Sequence, residues 1–375
     1  MKSGVGRGRT PHLNVGLITK FETSPMSRAI DDNQQKPKRG AFADLSNRNS
    51  ELNERAVKKP TVLKEEPPRR SERLSKRETT SLLSASLSSS ATSTTSRSAT
   101  RILVEEFDRD VVKDIRYVCE YARTLYDHYL QVEEKYLPMS SYMNDQNDVT
   151  ARMRSILIDW IVEVHQKFKM QPQTLHICVN ILDRYLERRA VKRDELQLIG
   201  CTALWCASKI EEIYSPEVQD FVHISDRAFK RKDLLDMEGN LLNALDFQLT
   251  FPTPHVFLTR FLRIAGADKR QRLFATYCVE RTLQEYSFLQ YKPSQIAAAG
   301  VSLALEICHN GTPVWSSALQ RHSSYSEQDL ALCVLEMRNL VADAENRSLL
   351  AVRKKYLTEE NGAVARIPVA RAEAH

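Results

Sequence analysis

The chain has 375 residues and a formal net charge of +6, and its charge is unevenly spread. Residues 1–101 hold 20 basic and 10 acidic side chains, whereas the remainder holds 34 and 38. The N-terminus has no apolar signal-peptide core, and the longest apolar run, Ile296 to Leu305, is too short to span a bilayer. Seven cysteines without a C-x-x-C pair predict reduced thiols rather than disulfides or a metal site. The composition therefore predicts a soluble intracellular protein that makes no membrane contact.

Residues 1–101 are predicted to form a disordered basic tail. Between positions 79 and 100, 15 of the 22 residues are Ser or Thr, a composition that cannot bury a core. Short basic clusters fit nuclear-import signals, or simply the solvated charge of a disordered tail, better than nucleic-acid binding, because no aromatic side chains interleave with them to stack on bases. These clusters are Lys36-Pro37-Lys38-Arg39, Lys58-Lys59, Arg69-Arg70 and Lys76-Arg77.

From residue 107 onward, apolar side chains recur every three or four positions, which predicts an all-helical body. The first helix should end before Pro138, and Ser215-Pro216 is typical of the start of a short helix. The segment 251–254, with two prolines, interrupts the pattern. Longer helices are predicted at 151–170, 173–188, 194–210, 230–245, 255–265, 269–287, 293–309 and 326–343.

The helix at 151–170 has an unusual distribution of side chains. Arg154 falls opposite the polar stripe and should point inward, where an unpaired charge is costly. Ile156 projects into the stripe, with Met153 and Trp160 at its edge, so an apolar strip should be exposed. The polar stripe consists of Asp159, Glu163, Gln166 and Lys167.

The body shows one internal match. ELQLIGCTAL at 195–204 aligns with QIAAAGVSLA at 295–304 and pairs Gly200 with Gly300. Together with the interruption at 251–254, the match suggests a duplicated helical unit.

No catalytic motif was found. The chain has no Gly-rich nucleotide loop, no nucleophile elbow and no H-E-x-x-H zinc motif. His165 and His176 lie within helices, where a buried structural imidazole is the simpler interpretation. The sequence therefore predicts no enzyme, no catalytic residue, no metal site and no cofactor.

Four phrases resemble the cyclin family: MRSILIDWIVEVH (153–165), TLHICVNILDRYL (174–186), LQLIGCTALWCASKIEEIYSPEV (196–218) and DMEGNLLNALDF (236–247). The resemblance covers residues 107 to 355 and is denser in the first half. It implies an all-α fold of two tandem five-helix cyclin boxes preceded by a helix. The implied organisation is a tail at 1–101, an N-terminal box with its preceding helix at 107–250, a C-terminal box at 251–357 and a frayed tail at 358–375.

The resemblance also implies roles for individual residues. Arg154 and Asp183 would form a buried structural ion pair. Lys209 and Glu238 would contact a cyclin-dependent protein kinase, flanked by Cys206, Ile210 and Leu242. A substrate-docking patch, attractive to basic-apolar motifs, would comprise Met153, Ile156, Leu157, Trp160, Glu163, Arg193 and Gln197.

Residues 39–47 of the tail resemble a destruction box, R-x-x-L-x-x-x-x-N. Arg39 and Asn47 fit, and Phe42 takes the place of the leucine. This substitution is typical of the third B-type subclass, which implies a nuclear mitotic cyclin, with the cytoplasm as a further location. The ubiquitin ligase of mitotic exit would then be a partner.

Two functions from different classes fit such a chain. The favoured one is a regulatory subunit that activates a mitotic cyclin-dependent kinase and is destroyed at mitotic exit. The alternative is a nucleic-acid-binding adaptor with tandem cyclin-like repeats. The adaptor would need a strongly basic folded domain, whereas residues 102–375 carry a net charge of −4 (34 minus 38).

Overall fold

A computed structural model describes residues 105–114, 118–308 and 315–372. Within these ranges the chain is helical and contains no strand, which confirms the predicted all-α fold. Short 3-10 helices lie at Glu106–Asp108, Glu133–Tyr136, Tyr142–Asp145, Tyr286–Gln290, Asp343–Glu345 and Val364–Arg366. The α-helices are α1 (Cys119–Val132), α2 (Ala151–Lys167), α3 (Pro172–Arg188), α4 (Leu196–Glu211), α5 (Val218–Ile224), α6 (Arg231–Ala244), α7 (Pro254–Ile264), α8 (Lys269–Thr282), α9 (Pro293–Cys308), α10 (Ser317–Ser323), α11 (Glu327–Ala342) and α12 (Ala351–Leu357).

Helices α2 to α6 form the first five-helix unit, and α4 lies at its centre. Apolar side chains are buried around most of the α4 circumference, from Leu196 to Ala207. Gly200 allows α2 to approach closely, because a Cβ at this position would lie 2.9 Å from Cδ1 of Leu157. A larger residue would therefore require the side chain of Leu157 to shift.

Helices α7 to α11 form the second unit, with α9 in the corresponding central position. Gly300 of α9 faces α8, where a Cβ would lie 2.6 Å from Cγ2 of Val279. The break at 251–254 is the start of α7: Thr253 is its N-cap, and Pro254 occupies the first turn, where its missing N–H has no cost. The two glycines that the sequence match paired therefore lie in equivalent helices.

The predicted start of the helix after Pro216 was wrong, and two short helices were not predicted. The helix after Pro216 begins at Val218, because Asp220 accepts a hydrogen bond from the backbone N–H of Glu217 at 2.9 Å. Ser215 therefore does not cap it. Helices α10 and α12 were not predicted, since each has only seven residues and too few turns to show a period.

The segment before α1 is attached to the second unit. Asp108 is buried and accepts hydrogen bonds from Nη1 of Arg260 at 2.9 and 2.8 Å and from Nε of Arg263 at 3.0 Å. After α1, the buried Glu133 accepts hydrogen bonds from the backbone N–H and the hydroxyl of Ser294, at the start of α9. The segments before and after α1 are therefore both attached to the second unit.

The end of the chain is packed, so the predicted frayed tail at 358–375 is wrong for residues 358–372. Val364 is only 1% exposed, and Ile367 and Val369 pack against the core. The backbone N–H of Ala372 donates to Oδ1 of Asn339 at 3.1 Å. The sequence did not indicate this packing because the segment is short and has no helical period.

Candidate functional site

The end of α4 carries a charged pair that reaches across to α6. Nζ of Lys209 forms an ion pair with Oε1 of Glu238 and lies 3.6 Å from the centroid of the Trp205 ring. The Lys209 side chain is 38% exposed and that of Glu238 is 18% exposed. Lys209 is thus held in one direction by a carboxylate and an aromatic face, while its charge stays accessible to a partner.

The three residues predicted to flank this pair differ in exposure. Cys206 is 2% exposed and its Sγ lies 3.9 Å from Oε1 of Glu238, so burial raises the pKa of the thiol to about 12. Leu242 is half-buried, and Ile210 is 42% exposed. Cys206 therefore belongs to the buried core next to Glu238, whereas Ile210 belongs to the exposed surface.

The loop after α4 adds apolar surface that the sequence analysis did not single out. Ile213 is 91% exposed and Tyr214 is 88% exposed, the largest values among the exposed apolar side chains of the described residues. Exposed apolar groups that lie together commonly mark a protein-binding surface. The signal in the sequence was the pair Ile213-Tyr214 directly after a predicted helix end, where a polar loop would be expected.

A cleft of about 760 Å³ lies beside Ile210. It is bounded by α1, the start of α3, the end of α4 and the start of α7. Its walls carry Tyr126, Tyr129, Tyr136 and Phe251, and Glu211 lies at the α4 side. The cleft therefore connects the surface of the first unit with α1.

Helix α1 has an apolar face towards solvent in addition to the face that packs on α7. Tyr121 and Leu125 are 62% and 43% exposed, and His128 and Val132 continue the same face into the cleft. Their spacing of four, three and four residues places them on one side of the helix. Ala122 of the same helix is buried in the core.

The predicted docking patch is less exposed than the helical pattern suggested. Leu157 is fully buried, and Ile156 and Trp160 are only 9% and 8% exposed, so the prediction of an exposed apolar strip was wrong. Met153 is half-buried. The pattern failed here because α2 has neighbouring helices on several sides, including α12 along its polar stripe.

The polar side of the patch is more accessible. Arg193 is exposed, and its guanidinium and backbone N–H both donate to Asp148, with Nε 2.7 Å from Oδ1. Gln197 is half-buried. Glu163 is half-buried, and burial, with Asp159 nearby, raises the pKa of its carboxyl group.

Asp159, the first residue of the polar stripe of α2, is bonded to neighbouring elements, whereas Lys167 at the other end of the stripe is exposed. Oδ1 of Asp159 accepts hydrogen bonds from Nε2 of Gln284 at 2.5 Å and from the backbone N–H of Ala351 at 2.9 Å. Ala351 is the first residue of α12, whose N-terminus the carboxylate thereby satisfies. Asp159 therefore joins the first unit to α12 and to the end of α8.

The predicted pair of Arg154 and Asp183 is present and buried. Nε of Arg154 lies 2.5 Å from Oδ1 of Asp183, and both side chains are 1% exposed. The same arginine donates from Nη1 to the backbone carbonyl of Leu283 in the second unit, at 3.1 Å. The pair is thus part of the contact between the two units.

The remaining expectations concern the tail, metals and membranes. Arg39, Phe42, Asn47 and the basic clusters lie outside the described residues. None of the seven cysteines forms a disulfide. Within the described ranges, no three His, Cys, Asp or Glu side chains are arranged to hold a metal ion, and no helix has the length and apolar character needed to cross a bilayer.

Comparison with known families divides the chain at the point where α7 begins. Residues 124–250 match the family described as "Cyclin, N-terminal domain", and residues 252–370 match "Cyclin, C-terminal domain". The boundary between the two matches coincides with the break between the two five-helix units.

Similar curated proteins carry the names of B-type or G2/mitotic-specific cyclins. "Cyclin-B1-5" of Oryza sativa subsp. japonica is 38% identical over 284 residues, which are 74% of this chain and 63% of that protein. "G2/mitotic-specific cyclin-1" of Medicago sativa subsp. varia is 40% identical over 68% of this chain and 59% of its own length. The chain thus spans about three fifths of these two relatives. It spans 73% of "G2/mitotic-specific cyclin-2" of Medicago sativa, at 40% identity and 64% of this chain.

Among solved structures, a viral cyclin from herpesvirus saimiri has the same fold, with a TM-score of 0.54 and 21% identity over 58% of this chain and 97% of the viral one. The family matches, the sequence identity and the paired five-helix units agree with one another. The chain belongs to the cyclin family, and its relatives named here are B-type and G2/mitotic cyclins.

Proposed function

We propose that this chain is the regulatory subunit of a mitotic cyclin-dependent protein kinase. The observation that carries the proposal is the surface at the end of α4, where the Lys209–Glu238 pair lies beside the exposed side chains of Ile210 and Ile213. The cleft and the solvent-facing side of α1 extend this surface. Apolar anchors around an oriented charge pair are typical of a specific protein interface.

Activation by such a subunit requires differential binding. A kinase that exchanges between an inactive and an active arrangement shifts only if the cyclin binds the active one more tightly. The attachments on either side of α1 and the buried contact between the two units give the surface a fixed shape. A rigid surface can favour one arrangement of the kinase over the other, because it cannot adapt to both.

Several finer proposals rest on the resemblance of the sequence to cyclins. These are a nuclear location through the basic clusters, membership of the third B-type subclass, destruction through Arg39, Phe42 and Asn47, and substrate selection through the patch at Met153, Arg193 and Gln197. The adaptor alternative has no support in the body, because residues 102–375 are net acidic.

The test of kinase binding uses charge reversal at the pair. Lys209→Glu and Glu238→Lys should each abolish binding and activation of a mitotic cyclin-dependent kinase, measured by calorimetry and by histone phosphorylation. Helical circular dichroism and the melting temperature should stay near wild type, because the pair is partly exposed and contributes little stability. Arg366→Glu, a reversal at an exposed pair far from α4, is the matched control.

The double variant Lys209→Glu with Glu238→Lys separates two roles of the pair. It restores the ion pair within the chain but inverts the charges that a kinase meets. If the pair contacts the kinase, the double variant stays inactive. If it recovers full binding, the pair acts only within the chain and the proposed interface is wrong.

A further inference from the structure

The loop between α4 and α5 is anchored on both sides of two exposed residues. Before them, Oε1 of Glu212 accepts a hydrogen bond from the backbone N–H of Gln171 at 2.7 Å. After them, Oγ of Ser215 lies 2.7 Å from Oγ of the fully buried Ser208. The loop is therefore fixed at its base, and Ile213 and Tyr214 are held out at its tip.

We propose that Tyr214 is a phosphorylation site whose occupation prevents the chain from binding its kinase partner. The phenol is 88% exposed, and residues 212–217 are not helical, so the side chain can enter the substrate cleft of a protein kinase. This inference rests on the proposed function for its consequence, but not for the modification itself.

The residues around Tyr214 indicate the class of enzyme. Glu211 and Glu217, three residues before and three after the tyrosine, are both exposed. Glu212 adds a third carboxylate on the N-terminal side. Charge complementarity therefore favours a protein tyrosine kinase with a basic substrate groove.

The reaction takes its phosphoryl group from MgATP. The phenolic oxygen of Tyr214 forms a bond to the γ-phosphorus while the bond from that phosphorus to the β,γ-bridging oxygen breaks. ADP leaves, and the phenolic proton passes to the catalytic carboxylate of the tyrosine kinase. The product carries a phosphate with a charge of about −1.5 to −2 at pH 7.

That charge would stand in the middle of the proposed interface. The Ser208–Ser215 contact places Tyr214 next to the last turn of α4, which carries Lys209. A phosphate there adds negative charge close to the Lys209–Glu238 pair and a strongly hydrated group next to the exposed Ile213. Binding would then require the desolvation of a charge that no longer matches the partner.

Tyr121 is the internal comparison. Its side chain is 62% exposed and follows Glu120, but it lies inside α1, where the backbone is helical. A tyrosine kinase binds its substrate segment in an extended form, so exposure alone should not make Tyr121 a substrate. A comparison of phosphorylation at Tyr214 and at Tyr121 therefore distinguishes the effect of the anchored loop from the effect of exposure alone.

The experiment first maps the modification. The full chain, Tyr214→Phe and Tyr121→Phe are each incubated with MgATP and a purified tyrosine kinase domain that prefers acidic peptides, and phosphate is located by mass spectrometry. We expect near-stoichiometric phosphate on wild type and on Tyr121→Phe, and its loss in Tyr214→Phe. Equal incorporation into Tyr214→Phe and wild type would overturn the site.

The second step compares the affinity of each protein for the cyclin-dependent kinase before and after this treatment. Phosphorylation should weaken wild type and Tyr121→Phe on the order of tenfold or more and leave the affinity of Tyr214→Phe unchanged by treatment. Equal affinity of modified and unmodified wild type would overturn the regulatory consequence. If unmodified wild type binds no such kinase, the proposed function fails, while the mapped phosphate still decides the site.

Discussion

Arg154 and Asp183 form a bidentate ion pair in the interior of the protein, 29 residues apart in the chain. Nε and Nη2 of the arginine lie 2.5 and 2.6 Å from the two carboxylate oxygens. The hydroxyl of Tyr142 donates to Oδ1 of the same aspartate at 2.8 Å. With the bond from Arg154 to the carbonyl of Leu283, the pair joins α2, α3 and the second unit.

Loss of one partner from this pair should be strongly destabilising. Asp183→Asn keeps the shape of the side chain but strands the guanidinium, and such a loss typically costs about 3–5 kcal/mol. Urea unfolding of the full chain measures the change. Asp246→Asn is the matched control, because Asp246 pairs with Arg188 at 3.2 Å but its side chain is 71% exposed, and it should cost about 1 kcal/mol or less. Equal effects of the two substitutions would contradict a role for the buried pair.

Stability should fall as the solution becomes mildly acidic because of a buried histidine. Neither ring nitrogen of His176 has a hydrogen-bond partner among the described residues, and its ring stacks on that of His255, with centroids 5.7 Å apart. Burial, followed by the nearby imidazole of His255, the ammonium of Lys355 and the imidazole of His165, lowers the pKa of His176 well below 6.5.

The sign follows from proton binding. Between its folded and unfolded pKa values, His176 binds protons more tightly in the unfolded chain, so the free energy of unfolding decreases as the pH falls below about 6.5. His176→Leu should reduce this dependence between pH 7 and 5 in urea unfolding. Burial also lowers the pKa of His165 and of His255, and these two groups should account for the slope that remains. His223→Leu, at an exposed imidazole, should leave it unchanged. A wild-type slope that persists in His176→Leu would assign it to other groups.

The substrate-docking proposal is best tested at the accessible edge of the patch. Trp160 is nearly buried, so its truncation should cost about 3–5 kcal/mol and disturb the whole first unit. Arg193→Ala with Gln197→Ala should instead leave stability and activity on a short peptide intact and weaken phosphorylation of substrates with a basic-apolar docking motif. Arg189→Ala, an exposed arginine outside the patch, serves as control. Equal loss on both substrate types would exclude docking at this edge.

The destruction box is tested by turnover. Arg39→Ala with Phe42→Ala should stabilise the protein through mitotic exit, because both side chains belong to the proposed degradation signal. The half-life in dividing cells or mitotic extract is the measurement. Arg48→Ala, which removes a basic residue just beyond the box, should leave the half-life at its wild-type value. An unchanged half-life of the double variant would refute the degradation signal.

The periodicity of the sequence determined the fold class and the position of most long helices, because apolar spacing depends only on local geometry. Gly200 and Gly300 indicated the duplication for a related reason: each is the small residue that allows a helix to pass closely. The inward direction of Arg154 could also be predicted, since one helix suffices to place it opposite the polar stripe. The resemblance to cyclins supplied its partner Asp183 and the pairing of Lys209 with Glu238.

Only the tertiary structure decided which faces meet solvent. The helical spacing predicted that Trp160 lies on a surface strip and Asp159 on an exposed polar stripe. In the structure, the elements that pack on α2 bury Trp160. Asp159 accepts hydrogen bonds from Gln284 and from the first residue of α12. Conversely, Tyr214 is exposed because Glu212 and Ser215 bond to groups on the first unit. A single helix has no information about the elements that pack on it, so exposure is a property of the assembled fold.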